Sequence, residues 1–227
     1  MIQALIFDFD GLILETEGVI FQTWQELYAD HGTHLPFEVW SQIVGASEDV
    51  FDPFDLLEEQ LGRPVDRAGL SAPRRERERS LIVAQPVLPG VEDYLRSAWA
   101  LGLKIGLASS SNWAWVSGHL TRLGLFDYFD CLRTADDVEE AKPDPALYRL
   151  ALEGLGVAPD QAFALEDSPN GILAAKRAGL FCVAVPNQIT RQMPLDHADL
   201  RLEALTDMPL DALIARVEDR QAASGAQ

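Results

Sequence analysis

Two aspartates, Asp8 and Asp10, end an apolar run and stand directly before Gly11. Carboxylates are poor strand residues and costly to bury, so a partner must offset their presence at the edge of a core. Residues two apart on a strand point to the same side, so both acids can face one site while Phe9 packs behind them. Gly11 lets the backbone turn sharply or approach a ligand closely. By itself the pair fits a chemical site and equally well a turn without chemistry.

Three other segments carry residues of related chemistry. Ser109 ends a second apolar run, where its hydroxyl and the next N–H groups could hold an oxyanion. The alternative for this serine-rich segment is a helix N-cap cluster, and Ser111 or Asn112 is the expected N-cap. A lone lysine such as Lys142 is usually a solvated surface charge, but two nearby prolines restrain its loop and favour a positioned charge. Glu166 and Asp167 follow a further apolar run and repeat the opening pattern.

The elements that must position these residues alternate along the chain. Short apolar runs predict strands, and helical patterns closed by glycine separate them. The predicted strands are 4–9, 104–108, 131–132, 162–165 and 181–185, and the predicted helices are 91–101, 113–123, 145–155 and 172–178. This alternation predicts an α/β fold with a doubly wound parallel sheet, which binds ligands at the carboxyl ends of its strands.

One segment interrupts the alternation. Residues 16–86 have only helical patterns, including a helix that starts at Asp52-Pro53 and a long Arg/Glu-rich helix over about 66–84. An insertion directly after the first strand would lie over the carboxyl ends of the strands. We therefore predict a helical cap domain over 16–86 and a core formed by 1–15 and 87–227.

Composition limits the possible partners. The 227 residues suffice for one large domain or for a core with an insertion. A formal net charge of -18 disfavours binding to nucleic acid and to anionic membranes, and no apolar stretch approaches the length of a membrane span.

The two cysteines, Cys131 and Cys182, form no Cys-x-x-Cys pair, so buried free thiols are expected. The N-terminus has no secretory pattern, and we expect a cytoplasmic protein that is a monomer or a weak homodimer.

Together the four segments resemble the four motifs of the haloacid dehalogenase superfamily, in the order and approximate spacing that this superfamily uses. The motifs are Asp-x-Asp-Gly after a first strand, serine after a second, Lys-Pro in a loop and Glu-Asp after a later strand. The resemblance covers nearly the whole chain and is strongest to the β-phosphoglucomutase and phosphoglycolate phosphatase branch. It implies a Rossmann-like core with an inserted helical cap domain.

The resemblance also implies a phosphoryl-transfer mechanism. Asp8 would attack phosphorus and form an aspartyl phosphate, and Asp10 would protonate the leaving oxygen and later deprotonate the incoming nucleophile. Lys142 and Ser109 would neutralise charge on the phosphoryl oxygens. An aspartate at position 10 favours phosphoryl transfer over dehalogenation or phosphonate cleavage, because those leaving groups need no proton donor there.

Four converging acids would repel one another and need a divalent cation. Oxygen ligands beside a phosphate suit Mg²⁺. The resemblance implies that Asp8 and Asp167 bind the ion through their side chains and Asp10 through its backbone carbonyl. Glu166 would either bind the ion directly or contact one of the groups that bind it.

The expected substrate is a small phosphorylated metabolite, such as a sugar phosphate. Candidate residues for contacting it lie in the motifs and in the predicted cap domain: Gly11, Ser110, Asn112 and Arg74. The Arg/Glu alternation around Arg74 is also typical of a solvated helix face with i,i+4 pairs. Trp113 and Trp115 are expected to pack, with Trp113 close enough to the site to touch a substrate.

Some positions depart from the family pattern. Glu15 stands where the family usually has aspartate, and its side chain, one methylene longer, could still hydrogen-bond in the turn. Sugar phosphomutases have a histidine at the place of Ile20 and a phosphate-binding arginine where this chain has residues 45–48. Without these groups, water rather than a sugar hydroxyl should accept the phosphoryl group in the second transfer. We therefore predict a phosphatase, with a phosphomutase as the alternative. A phospho-accepting signalling module of the response-regulator type is a third hypothesis, against which the length and the insertion argue.

Overall fold

The computed structural model of the chain describes residues 1–41 and 52–224. Within these ranges six strands form one sheet: β1 (Ala4–Phe7), β2 (Lys104–Ala108), β3 (Cys131–Arg133), β4 (Ala162–Glu166), β5 (Phe181–Ala184) and β6 (Leu200–Arg201). Every pairing is parallel, in the order β3-β2-β1-β4-β5-β6. The predicted doubly wound α/β sheet is therefore confirmed, and β1 lies between β2 and β4.

The helices of the described residues fall into an inserted set and a flanking set. The inserted helices are α1 (Glu17–Asp30), α2 (Phe37–Trp40), α3 (Pro53–Leu61) and α4 (Arg67–Val83). The flanking helices are α5 (Val91–Ala100), α6 (Trp113–Leu123), α7 (Ala146–Leu155), α8 (Pro169–Arg177) and α9 (Leu210–Ser224). Among the described residues no helix is long and apolar enough to cross a membrane.

Side chains alternate between the two faces of the sheet, and each face has its own hydrophobic cluster. Leu5 and Phe7 of β1 point into the cluster that contains α5, α6 and α9 residues. Ala4 and Ile6 point into the opposite cluster, which α7 and α8 cover. Burial on both faces explains why the strands are continuously apolar, and it leaves their carboxyl ends as the place for polar groups.

A third hydrophobic cluster lies among the inserted helices and also includes Ile189, which follows β5. It is rich in aromatic side chains, among them Phe21, Trp24 and Tyr28 of α1. The Asp52 side chain accepts a hydrogen bond from the Phe54 N–H (2.9 Å), which confirms the predicted start of α3. The assignment of 16–86 as a separate cap domain remains a prediction. Residues 45–48, where mutases have their arginine, lie outside the described residues.

The first strand is shorter than predicted. β1 ends at Phe7, so Asp8 and Asp10 lie in the following turn, and Phe9 is buried in the core. The ladder continues for one bond, since the Asp8 N–H donates to the Leu165 carbonyl (3.0 Å). The turn around Gly11, whose φ is 80°, then ends strand pairing.

One strand was not predicted, and one side chain makes the hydrogen bond that was expected of it. β6 has only two residues and no apolar pattern. Glu15 accepts a hydrogen bond from the Gly18 N–H (2.9 Å), so the longer side chain supports the first turn of α1.

Candidate active site

The carboxyl ends of β1, β2 and β4 meet at one edge of the sheet and surround a cavity. Its lining residues come from the turn after β1, the loop after β2, the loop before α7, the start of α8 and the first residue of α1. They are Asp8, Asp10, Glu17, Ser109, Ser110, Lys142, Asp167, Ser168 and Asn170. The structure thus brings together the central residues of all four sequence motifs.

Lys142 joins two of the predicted acids. Its ammonium donates to Asp8 Oδ1 at 2.5 Å and to Glu166 Oε1 at 2.6 Å, and its side chain is only 5% exposed. Burial lowers the pKa of Lys142, but the two adjacent carboxylates raise it further, so that the group stays charged. Lys142 is therefore the positioned charge that the loop suggested, and not a solvated surface lysine.

Asp8, Glu166 and Asp167 form a buried acidic cluster, with one carboxylate oxygen from each within 4.8 Å of the others. Burial and the Glu166 charge raise the pKa of Asp8 to about 7 despite the opposing effect of Lys142. Burial and then the Asp8 charge raise the pKa of Asp167 well above its usual value. One ammonium does not balance three carboxylates, and an all-oxygen donor set with excess negative charge fits a divalent cation.

Glu166 is fully buried and does not line the cavity. Besides Lys142, the Tyr148 hydroxyl donates to Glu166 Oε1 at 2.6 Å. Gly171, in the first turn of α8, leaves the space that the carboxylate occupies, because a Cβ there would overlap all three heavy atoms of that group. Glu166 therefore holds Lys142 in place from behind the cavity.

Asp10 is directed away from this cluster and toward the start of α6. Its Oδ1 accepts from Trp115 Nε1 at 3.0 Å, and its Oδ2 accepts from Ser111 Oγ at 2.6 Å. Trp115 was expected only to pack, so this contact was missed. Trp113 was expected near the substrate, but its ring contacts Phe126 (centroids 6.3 Å apart) and does not line the cavity.

The serine-rich loop after β2 divides its residues between the site and the helix. Ser109 is buried, and its Oγ accepts from the Ser111 N–H at 3.0 Å. Ser109 and Ser110 both line the cavity. Asn112 does not, because its side chain caps α6 by accepting from the Trp115 N–H at 2.9 Å.

Two further candidates for contacting substrate are not brought to the cavity. Arg74 lies in a groove between α1 and α4, where it pairs with Glu78, donates to Thr23 Oγ1 (3.0 Å) and covers the Trp24 ring at 4.4 Å. Its charge is paired with Glu78 within the inserted helices. Gly11 lies behind the cavity, where a Cβ would come within 2.5 Å of Asp167 Oδ2.

Ser168 and Asn170 line the cavity but were not among the predicted site residues. Two further residues of the site were also missed. Glu17 lines the cavity, and burial together with the Asp10 charge raises its pKa to about 8. Asn187, after β5, donates to Asp167 Oδ2 at 2.7 Å, and its own oxygen accepts from the Thr190 N–H at 2.9 Å. Neither position belongs to an apolar run or a motif, and only long-range contacts reveal them.

Comparison with known proteins identifies the relatives of this chain. A model of haloacid dehalogenase-like hydrolases matches residues 2–179. The chain is 51% identical to YhcW of Bacillus subtilis (strain 168) over 214 residues, covering 94% of this chain and 97% of that protein. It is 32% identical to validoxylamine A 7'-phosphate phosphatase of Streptomyces hygroscopicus subsp. limoneus over 216 residues, covering 92% and 96%. The crystal structure of β-phosphoglucomutase from Clostridium difficile is similar, with a TM-score of 0.75, 25% identity and coverage of 98% and 100%.

Proposed function

The chain belongs to the haloacid dehalogenase-like hydrolase family, and we propose that it is a Mg²⁺-dependent phosphatase of a small phosphorylated metabolite such as a sugar phosphate. The proposal rests on one observation: the Asp8 carboxylate borders a cavity that Ser109, Lys142 and Asp167 also line. The relative named validoxylamine A 7'-phosphate phosphatase supports the same class of reaction.

The acidic cluster supports a Mg²⁺ site. Asp8 and Asp167 would bind the ion through their carboxylates and Asp10 through its backbone carbonyl, while Glu166 lies close enough to contribute directly or through another ligand. When bound, Mg²⁺ supplies positive charge to the transferring phosphoryl group and favours the ionised form of the surrounding acids. Asn187 would hold the Asp167 carboxylate in position for this role.

In the first transfer, the free oxygen of the Asp8 carboxylate attacks phosphorus. The bond between phosphorus and the leaving oxygen breaks, its electron pair stays on that oxygen, and Asp10 supplies the proton that neutralises it. Lys142, with the Ser109 hydroxyl and nearby N–H groups, stabilises charge on the equatorial oxygens. The products are an aspartyl phosphate on Asp8 and a free alcohol.

In the second transfer, a water oxygen attacks the same phosphorus while the ionised Asp10 removes a proton from that water. The bond from phosphorus to the Asp8 oxygen breaks, which returns the Asp8 carboxylate and releases inorganic phosphate. Asp10 is protonated again, so that each residue ends the cycle in its starting state.

The distribution of cationic side chains favours hydrolysis over a mutase reaction. All 18 lysines and arginines lie in the described ranges, and Lys142 is the only one of them among the residues that line the cavity. A mutase must also hold the second phosphate of a bisphosphate intermediate, but Arg74 is bonded elsewhere. Ile20, at the place of the mutase histidine, offers no hydrogen bond.

The test is a screen of phosphorylated metabolites and p-nitrophenyl phosphate for Mg²⁺-dependent release of inorganic phosphate. Asp8→Asn and Asp10→Asn should each abolish turnover of p-nitrophenyl phosphate, as of the metabolites, without loss of fold, because each transfer needs the first residue and the second transfer needs Asp10 as a base. Asp160→Asn, the same change at an exposed position, should not alter it. Normal activity of Asp8→Asn would refute the proposal. Stimulation by a sugar bisphosphate without net phosphate release would support the mutase instead.

A further inference from the structure

The carboxylate of Asp10 is held by two donors from one short segment. Trp115 Nε1 bonds to Oδ1 (3.0 Å), and Ser111 Oγ bonds to Oδ2 (2.6 Å). Each oxygen of the carboxylate therefore accepts one of the two bonds, which fixes both the direction and the plane of the group. Both donors are about a hundred residues away from Asp10 in the sequence.

The indole of Trp115 is itself firmly supported. Its ring meets the His119 ring edge to face, with centroids 4.4 Å apart, and packs against the main hydrophobic cluster. The Asn112 N-cap bond to the Trp115 N–H (2.9 Å) orders the helical turn from which the ring projects. The ring is therefore held in place by the fold, and its N–H restrains the position of the Asp10 carboxylate.

We propose that Trp115 is a positioning residue, which aims Asp10 for proton transfer to the leaving oxygen. This inference rests on the proposed phosphatase function. A carboxylate oxygen has two lone pairs, so Asp10 can keep its bond to Trp115 and still exchange a proton with substrate or water. Trp115 acts only through Asp10, since it does not line the cavity.

The chemistry of the leaving group makes this role measurable. When an alkyl phosphate reacts, the phosphorus–oxygen bond breaks and the departing alkoxide must receive a proton from Asp10. When p-nitrophenyl phosphate reacts, the departing phenolate is stable as an anion and needs no such proton. The second transfer, in which Asp10 acts as a base, is common to both substrates, so the comparison uses kcat/KM, which reports the steps through formation of the aspartyl phosphate. In kcat/KM, a residue that positions Asp10 affects the first substrate selectively, whereas a residue that only supports the fold affects both.

The experiment compares Trp115→Phe with wild type on two substrates: the alkyl phosphate that wild type hydrolyses fastest and p-nitrophenyl phosphate. Phenylalanine keeps an aromatic ring against His119 and removes the N–H. We expect kcat/KM for the alkyl phosphate to fall about ten- to a hundredfold and kcat/KM for p-nitrophenyl phosphate to change less than about threefold. Trp113→Phe is the matched control, since Trp113 lies on the same helix without contacting Asp10, and both activities should be unchanged.

Ser111→Ala provides an independent variant, because it removes the other donor without opening the core. It should show the same selective loss on the alkyl phosphate. Equal losses on both substrates, or no loss on the alkyl phosphate, would overturn the inference while leaving the phosphatase proposal intact. If Trp115→Phe does not fold, as judged by circular dichroism, the Ser111→Ala result decides. If wild type releases phosphate from no substrate, both proposals fail.

Discussion

Replacement of Gly171 by alanine should damage the enzyme although the residue lies outside the cavity. Gly171 is in the first turn of α8 with ordinary helical geometry, so helix propensity alone predicts that alanine stabilises the protein by up to about 1 kcal/mol. A Cβ at this position, however, would lie closer than 3.0 Å to the Glu166 carboxylate carbon and both its oxygens. The buried carboxylate would have to move by about 1 Å, a shift of the size that disturbs catalytic geometry.

The magnitude follows from the bonds that this shift breaks. Glu166 Oε1 accepts from Lys142 at 2.6 Å and from the Tyr148 hydroxyl at 2.6 Å. A hydrogen bond to a charged group contributes about 1.5–3 kcal/mol. After subtraction of the helix gain, we expect a net loss of about 2–5 kcal/mol in the free energy of unfolding. Displacement of Lys142 should also lower kcat about a hundredfold.

Urea denaturation of the metal-free protein and phosphate-release kinetics measure the two effects. Gly118→Ala is the matched control, because Gly118 is also helical but a Cβ there would meet nothing within 4 Å. The control should be as stable as wild type or slightly more stable, with unchanged kcat. If Gly171→Ala is also stabilised and fully active, Glu166 does not depend on its present position and the reasoning is refuted.

Three further predictions concern the metal, the inserted helices and pH. Mg²⁺ at a hundredfold excess over its dissociation constant should raise Tm by roughly 5–10 °C in calorimetry, and Asp167→Asn should remove most of this shift; an unchanged shift would exclude Asp167 as a ligand. Arg74→Gln should leave kcat and KM for a monophosphate within about twofold of wild type, since the guanidinium bonds to Thr23 and Glu78; a large rise in KM would place Arg74 at the substrate. Metal-free wild type should lose stability as the pH rises from about 5 to 8, because the folded Glu17 carboxyl, whose pKa is raised to about 8, holds its proton more tightly than the unfolded chain does. Urea titrations of Glu17→Gln should show a weaker dependence, and an identical slope would contradict this assignment.

The elements that local sequence controls were predicted well. Asp52 before Pro53 marked the start of α3, and glycines marked the ends of α6 and α7 at Gly124 and Gly156. These signals act within one turn of helix, so they can be recognised without knowledge of the tertiary structure. The parallel sheet followed from the alternation of such elements, and the gathering of the motif residues followed from the sheet.

The details that depend on tertiary contacts were not predictable in the same way. Arg74 was a candidate for contacting substrate, with a helix face of i,i+4 pairs as the alternative, and its contacts with Thr23, Trp24 and Glu78 decide where its guanidinium lies. The bond from Trp115 to Asp10 joins segments 105 residues apart, and no local pattern indicates it. Asn112 shows the reverse case, since a strong local role as N-cap took precedence over the expected role in binding.

The central place of β1 in the sheet determines when during synthesis the enzyme can become active. β1 leaves the ribosome first, but its partner strands β2 and β4 begin only about 100 and about 160 residues later. At translation rates of roughly 5–20 residues per second, this apolar strand waits roughly 8–30 seconds for its second neighbour. During that time the strand exposes apolar side chains that chaperones can bind. Asp8 then has neither Lys142 nor Asp167 beside it. On the proposed mechanism, a nascent or prematurely terminated chain therefore has no nucleophile that could attack a phosphate ester.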